Sequence, residues 1–464
     1  MARDHRLPEP AVRLSRFRDH VEANREWFIS RLEEEVRIAS ISSRGENLDR
    51  MAAWLRSELI GLGFSVEVLA TPGAPVVLAE VGDDEGPTVL IYGHYDVQPP
   101  DPVELWKSPP FEPTIRDGRM YGRGTGDNKG QHLAHILGIS TALSVLGRLP
   151  CRVKCVLEGQ EESSSPHLAS FARREHERLR ADVVITSDGP MAAGDRPMIA
   201  LGVRGVLSFE LRAEGPAADQ HSGNRGGIVP DPGWRIVHAL SVLRGPDGRV
   251  RVPGFYDRVR PLGDLEQKAI EALPFDPDAI AFEFGLSAEE VGRLGRETFY
   301  RRLTLEPTFT VNAMGAGVID AEKTIVPRTA RVKCDMRLVA DQDPEAISES
   351  IRSLLAREAP DVAYLPHGWM RPSRTALDTP WLAPVRTALA RAHGQEPVVW
   401  PALGGSLPDA VFTEVLGLPS LVVPYANADE ANHAPNENLR VELFLKGIVA
   451  TAEMVCALAE TEAG

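Results

Sequence analysis

A histidine and an aspartate stand two residues apart in Gly93-His94-Tyr95-Asp96-Val97-Gln98-Pro99, directly after the apolar run Thr88-Val89-Leu90-Ile91-Tyr92. That run reads as a buried strand, and polar residues just past a strand end are where open α/β sheets gather their chemistry. Other segments repeat the pattern. Asp127 opens a helix, Glu161 and Glu162 follow a strand at 151–157, Asp188 follows a strand at 181–187, and His433 follows a strand at 420–423 by a loop. Each has an ordinary reading alone: a polar loop, a solvated turn, a turn residue before Gly189-Pro190, a helix-capping stretch at 432–437. His132 and His135, three apart on a helix, read as packing or surface residues. In a mostly parallel sheet the strand ends share one edge, so the carboxylates and His94 and His433 can converge there.

Carboxylates brought together without counter-charge repel one another and their pKa values rise. Divalent cations remove the conflict. Histidine nitrogen with carboxylate oxygen and no cysteine suits zinc, manganese or cobalt better than magnesium or calcium. Three carboxylates around two divalent ions leave about +1, and one bridging hydroxide brings this to about zero, which is the two-metal hydrolase arrangement.

The elements that must position these groups follow from periodicity. Helical spacing runs from Leu48 to Leu62, where Gly63 stops it; 65–69 and 76–81 read as strands, and a proline-rich loop spans 99–113. Behind Gly122-Arg123-Gly124-Thr125-Gly126-Asp127 a long helix is predicted over 130–146. This βαβ rhythm implies an α/β fold with helices on both faces of a mostly parallel sheet. The character changes near Val203: 206–212 alternates strictly, 232–243 and 344–356 read as helices, and 308–312 and 330–338 as strands. An inserted α+β domain is therefore expected over 204–374, interrupting a catalytic domain made of 1–203 and 375–464. A helix to about His393 and the strand at 420–423 resume the first pattern.

The chain has 464 residues, and its net charge of −15 argues against nucleic-acid or anionic-membrane partners. Its first eight residues lack the apolar core of a signal peptide, and no apolar run reaches membrane-spanning length. The four cysteines, Cys151, Cys155, Cys334 and Cys456, show no zinc or redox spacing and read as buried thiols of a cytoplasmic protein.

Taken in order, Gly93–Pro99, Tyr121–Gly130, Glu158-Gly159-Gln160-Glu161-Glu162, Ser187-Asp188 and Asn432-His433-Ala434-Pro435-Asn436-Glu437 resemble the zinc-dependent M20 metallopeptidases, in particular the branch of carnosinase-like and cytosolic nonspecific dipeptidases. The resemblance implies that His94, Asp127 and Asp188 hold one metal ion, and that Glu162, His433 and the shared Asp127 hold the other. It makes Asp96 the residue that orients His94 and Glu161 the general base for the attacking water. It gives the insert the roles of lid and dimer contact. His221, in Asp219-Gln220-His221-Ser222-Gly223, would stabilise the oxyanion in the partner's site. Arg337 would bind the substrate's terminal carboxylate, with Thr324 and Ser406 as smaller substrate contacts.

Two departures stand out. Asn128 replaces a second aspartate of the wider family, which the dipeptidase branch tolerates, and Ser163-Ser164-Ser165 replaces the usual sequence after the paired glutamates. The expected activity is hydrolysis of dipeptides or short peptides, with two zinc ions, or manganese or cobalt, in a homodimer. A related amidohydrolase of N-acyl or N-succinyl amino acids would use the same catalytic residues. A non-catalytic binding protein on this fold would lack a ligand or the base, and here all are present.

Overall fold

The computed structural model describes residues 7–83, 86–317 and 323–461. Most of the segment read for a signal peptide therefore lies outside the described residues. The larger sheet has eight strands in the order Ser65–Leu69, Val76–Val81, Arg152–Glu158, Thr88–His94, Val183–Thr186, Ser420–Val422, Met198–Ala200, Val398–Trp400. The middle four run parallel, with an antiparallel pair at one edge and a parallel pair at the other. Thr88–His94 shows why its apolar run has no alternation. Val89 and Ile91 face one buried cluster, Leu90 and Tyr92 the opposite one.

The first face is covered by helices Lys129–Leu146 and Val441–Ala459. They cross closely at Gly138, where an added Cβ would lie 2.6 Å from the Ile448 carbonyl oxygen and 2.5 Å from Thr451 Cβ. Two further helices, Pro10–Ala23 and Arg25–Val36, complete this layer and were absent from the sequence expectation. Buried Arg13 joins the first of them to the C-terminal helix through Glu453 at 2.9 Å.

A second, antiparallel sheet orders Thr308–Ala316, Thr329–Leu338, Gly205–Glu214 and Val362–Met370. Leu207, Phe209, Leu211 and Ala213 point from the third of these strands into a core shared with helices Pro232–Leu243 and Pro344–Glu358. Both helices start on a proline behind a capping aspartate, Asp231 or Asp343. Between the strands Gly205–Glu214 and Thr308–Ala316 of this sheet lie three helices that periodicity did not indicate: Asp264–Ala272, Pro277–Phe284 and Ala288–Thr304. They are short or interrupted (Gly295 has φ 70°) and largely exposed, so little apolar pattern marks them. Their buried residues Ile270, Leu273 and Tyr300 pack on Met198, Ala200 and Val398 at the edge of the large sheet.

All four cysteines are buried free thiols. No helix among the described residues is long and apolar enough to cross a membrane. The closeness of the two covering helices is testable. Gly138→Val should lower unfolding free energy by about 2–3 kcal/mol through overpacking, read as a fall in urea midpoint; an unchanged midpoint would refute that crossing.

Candidate metal centre and active site

His94 is the last residue of its strand, and the neighbouring strand ends place Glu158 beside it in register. Asp127 ends the glycine-rich loop before helix Lys129–Leu146, Glu161 and Glu162 sit in the short turn Glu161–Ser163, and Asp188 lies two residues beyond Val183–Thr186. His433 comes from the loop after Ser420–Val422, at φ 57°. The fold brings all of them to one rim. His94 Nε2 lies 3.2 Å from Asp127 and 3.4 Å from Asp188. His433 Nε2 lies 2.9 Å from the other oxygen of Asp127 and 3.2 Å from Glu162. Two groups able to hold a metal ion result, His94–Asp127–Asp188 and Asp127–Glu162–His433, each with ligand atoms within 4.8 Å of one another. Asp127 belongs to both. His94 Nε2 is fully buried and meets no partner in hydrogen-bond geometry, as expected of an atom aimed at a cation.

Asp96 does more than face His94. Its carbonyl oxygen is 3.1 Å and its carboxylate 3.4 Å from His94 Nδ1. Its two carboxylate oxygens also accept the backbone N–H groups of Glu161 and Glu162, each at 3.1 Å. One side chain thus fixes both the first histidine and the turn that carries the paired glutamates.

The remaining candidates form two separate pairs. His221 and Thr324 lie together on the small ribbon of Gln220–His221 with Ile325–Val326, where the Ser222 N–H donates to the Thr324 carbonyl at 3.0 Å. The His221 ring is exposed and accepts the Gly223 N–H. Arg337 donates to Ser406 Oγ at 2.8 Å and lies 3.6 Å from Asp335. Among the described residues no hydrogen bond or ion pair joins these four to the acid–histidine cluster within the one chain.

Several residues have roles around the site that the sequence reading did not assign. Buried Glu437 accepts the N–H groups of Gly124, Gly126 and Asp127, each at 3.0 Å, and pairs with buried Arg123 at 2.6 Å. It shapes the loop that presents Asp127. His132 is a packing residue, as read, and it also bridges two elements. Its Nδ1 bonds the His94 carbonyl at 2.9 Å and its Nε2 bonds Glu35 at 2.6 Å. His135 bonds Ser187 and Thr451. Asn128 donates to the Ser187 carbonyl at 2.6 Å, so the amide that departs from the wider family's aspartate ties two site loops together. Glu430 is buried beside Gly126 with neither carboxylate oxygen hydrogen-bonded; nothing distinguishes it in sequence from its neighbour Asp429.

Residues 90–457 match the model of peptidase family M20/M25/M40, and the chain belongs to that family. It is 27% identical over 486 residues to the Beta-Ala-His dipeptidase of Rattus norvegicus, covering 98% of each chain. It is 28% identical over 464 residues to the Cys-Gly metallodipeptidase of Schizosaccharomyces pombe, covering 94% of this chain and 96% of that one. The crystal structure of the M20 family metallo-carboxypeptidase Sso-CP2 from Sulfolobus solfataricus superposes with a TM-score of 0.87 at 32% identity, over 93% of this chain and 99% of that one.

The charges explain why cations belong at the rim. Burial pushes the Glu161 carboxyl well above the carboxylate range against the pull of His94, and Asp188, Glu162 and Asp127 add repulsion. Burial and Asp127 push Glu162 up to about 7. Asp127 and Glu162 raise His433 to about 11, and this ring is half-exposed, on the open side of the site. The His433 contribution to folding is complete below its ordinary value of 6.5 and is lost as pH rises towards about 11. The raised Glu162 carboxyl acts with the same sign, favouring folding below 4.5 and losing that effect through about 7. Burial alone would raise Asp127, but His433 and His94 outweigh it and hold the carboxyl below its usual range, so it matters only in acid. The chelated protein should therefore melt at progressively lower temperature between about pH 6 and pH 8.5, and a divalent cation should abolish the decline. Melting curves with chelator and with manganese test this; a metal-free Tm that climbs over that window contradicts it.

Proposed function

We propose that this chain is a metal-dependent dipeptidase whose site holds two divalent ions, with zinc the best fit and manganese or cobalt alternatives. The observation that carries the reading is Asp127, shared by two acid–histidine groups, with the buried Glu161 carboxyl beside them. Relatives aligned over nearly their full length are named for dipeptide cleavage, of Beta-Ala-His and of Cys-Gly. His94, Asp127 and Asp188 would hold one ion and Asp127, Glu162 and His433 the other. Bound there, the ions would supply Lewis-acid polarisation of the scissile carbonyl and acidify water.

The chain's own groups do the rest. Glu161 takes the proton of the attacking water and returns it to the leaving amine, which needs a carboxyl whose pKa lies near the working pH. Asp96 keeps Glu161 in place through its backbone N–H and orients His94. Arg337, steadied by Ser406, receives the substrate's terminal carboxylate. Residues 204–374 act as a lid and carry a homodimer contact. His221, which among the described residues has no hydrogen bond or ion pair to its own chain's cluster, reaches the second subunit's site and stabilises the oxyanion there, and Thr324 and Ser406 are smaller substrate contacts. The buried free thiols fit a cytoplasmic enzyme.

Glu161→Ala should keep its metal content yet lose at least about a hundredfold in kcat on dipeptides. Glu162→Ala should lose metal as well, and equal metal loss in the two variants would refute the division of roles. Homodimers of His221→Ala and of Glu161→Ala should both be inactive, and mixing the two should restore part of the activity; a mixture as dead as its components would overturn action across the dimer. A panel of dipeptides against N-acetyl and N-succinyl amino acids tests the substrate class, and turnover of the acylated compounds alone would reverse it.

A further inference from the structure

The three helices between 264 and 304 lie in sequence between two strands of the small sheet, but their packing ties them to the large sheet. An aromatic series makes the link: Phe284 meets Phe299 edge-on at 5.7 Å, Phe299 meets Tyr300 at 5.1 Å, and Tyr300 meets Trp400 of the edge strand at 5.2 Å. Tyr300, within that series, is buried and the outer end is not, since Phe284 is 50% exposed. Phe284 thus presents one apolar face to the space in front of it while its other face packs on Phe299.

What lies in front of it is a cavity of about 490 Å³. One wall is Phe284, Leu294, Phe299 and Leu303, with Arg302 beside them, from the helices fixed to the large sheet. The opposite wall comes from the small sheet and includes Arg337 and Asp335. Arg204 lines it too. Its Nε donates to the Gly404 carbonyl at 2.9 Å, and its backbone N–H bonds Leu403 and Gly405. It thereby holds the loop whose Ser406 bonds Arg337. Among the described residues no carboxylate lies within ion-pair distance of the Arg204 guanidinium, which is buried and close enough to Arg337 for that charge, after burial itself, to lower its pKa to about 10. The cavity therefore carries more positive than negative charge, with Arg204, Arg302 and Arg337 against Asp335, and an apolar stretch of Phe284, Leu294, Phe299 and Leu303 along its helical wall. A free carboxylate at the first and a large apolar side chain along the second satisfy both.

We propose that the cavity between Phe284–Phe299 and Arg337–Arg204 is the side-chain pocket for the substrate's C-terminal amino acid, and that it selects a large apolar or aromatic residue there. This rests on the dipeptidase reading and on Arg337 as the carboxylate site. The pocket is made half from each sheet's territory, so it is complete only when the two walls face one another. Phe284, at its mouth, is the specificity-determining residue.

The test uses the full-length, metal-loaded enzyme and its Phe284→Ala variant; the half-exposed position makes unchanged melting expected. On Ala-Phe, Ala-Leu, Ala-Glu and Ala-Gly, the enzyme should favour Ala-Phe over Ala-Gly by about tenfold or more in kcat/KM. Phe284→Ala should remove most of that preference and leave Ala-Gly within about twofold. In parallel, free L-phenylalanine and glycine are titrated calorimetrically, which reads the pocket without turnover. L-Phenylalanine should bind more tightly than glycine, and the variant should lose the difference. Cleavage of every dipeptide without preference, a preference for Ala-Glu, or equal losses on Ala-Phe and Ala-Gly in the variant would overturn the pocket while the dipeptidase reading stood. Tighter L-phenylalanine binding abolished by Phe284→Ala, with no dipeptide cleaved, would support the pocket and refute that reading.

Discussion

Repulsion among buried carboxylates at one rim of the sheet is the constraint from which the rest follows. Asp127, Asp188, Glu161 and Glu162 converge there with Glu430 behind them, and among the described residues only His94 and His433 bring positive charge into the cluster. In a low-dielectric site such a set persists only if protons or cations compensate it. Protons would disable the general base proposed at Glu161; divalent ions would leave it free to work. The same unfavourable electrostatics that a structural protein would avoid is what a hydrolase needs at its reacting atoms.

A second layer holds the acids in position, and its groups are hydrogen-bonded almost throughout. Glu437 gathers three backbone N–H groups under Asp127, and Asp96 does the same for two under Glu161 and Glu162. Lys129 reaches in from the start of its helix to the Glu35 and Ile38 carbonyls, although burial lowers its pKa to about 8. Through that lysine, Glu35 and His132, the N-terminal helices fix the backbone of His94. Satisfied buried networks of this kind set geometry more firmly than apolar packing alone does.

Much of this was legible in the chain. The unbroken apolar run at 88–92 implied a strand buried on both faces, and the alternation at 206–212 implied one with a wetter face; each is what the structure has. The acids and histidines after strand ends could be named because parallel topology leaves them no other edge. The helices at 10–36 and 264–304 were not legible, since they are capped and packed by tertiary contacts such as Arg13 with Glu453 and Tyr300 with Trp400. Glu437 falls within a recognisable motif, but its three-fold acceptor role depends on a loop 310 residues away in sequence and has no local signature. Glu430 is hidden for the same reason: its burial beside Gly126 is set by the fold, not by its neighbours.

The central claim is that two cations share Asp127. Anomalous diffraction from crystals grown with zinc would examine it directly. Two peaks about 3.5–4 Å apart are expected, one bounded by His94 and Asp188, the other by Glu162 and His433, with Asp127 between them. A single peak, or density away from Asp127, would contradict the account.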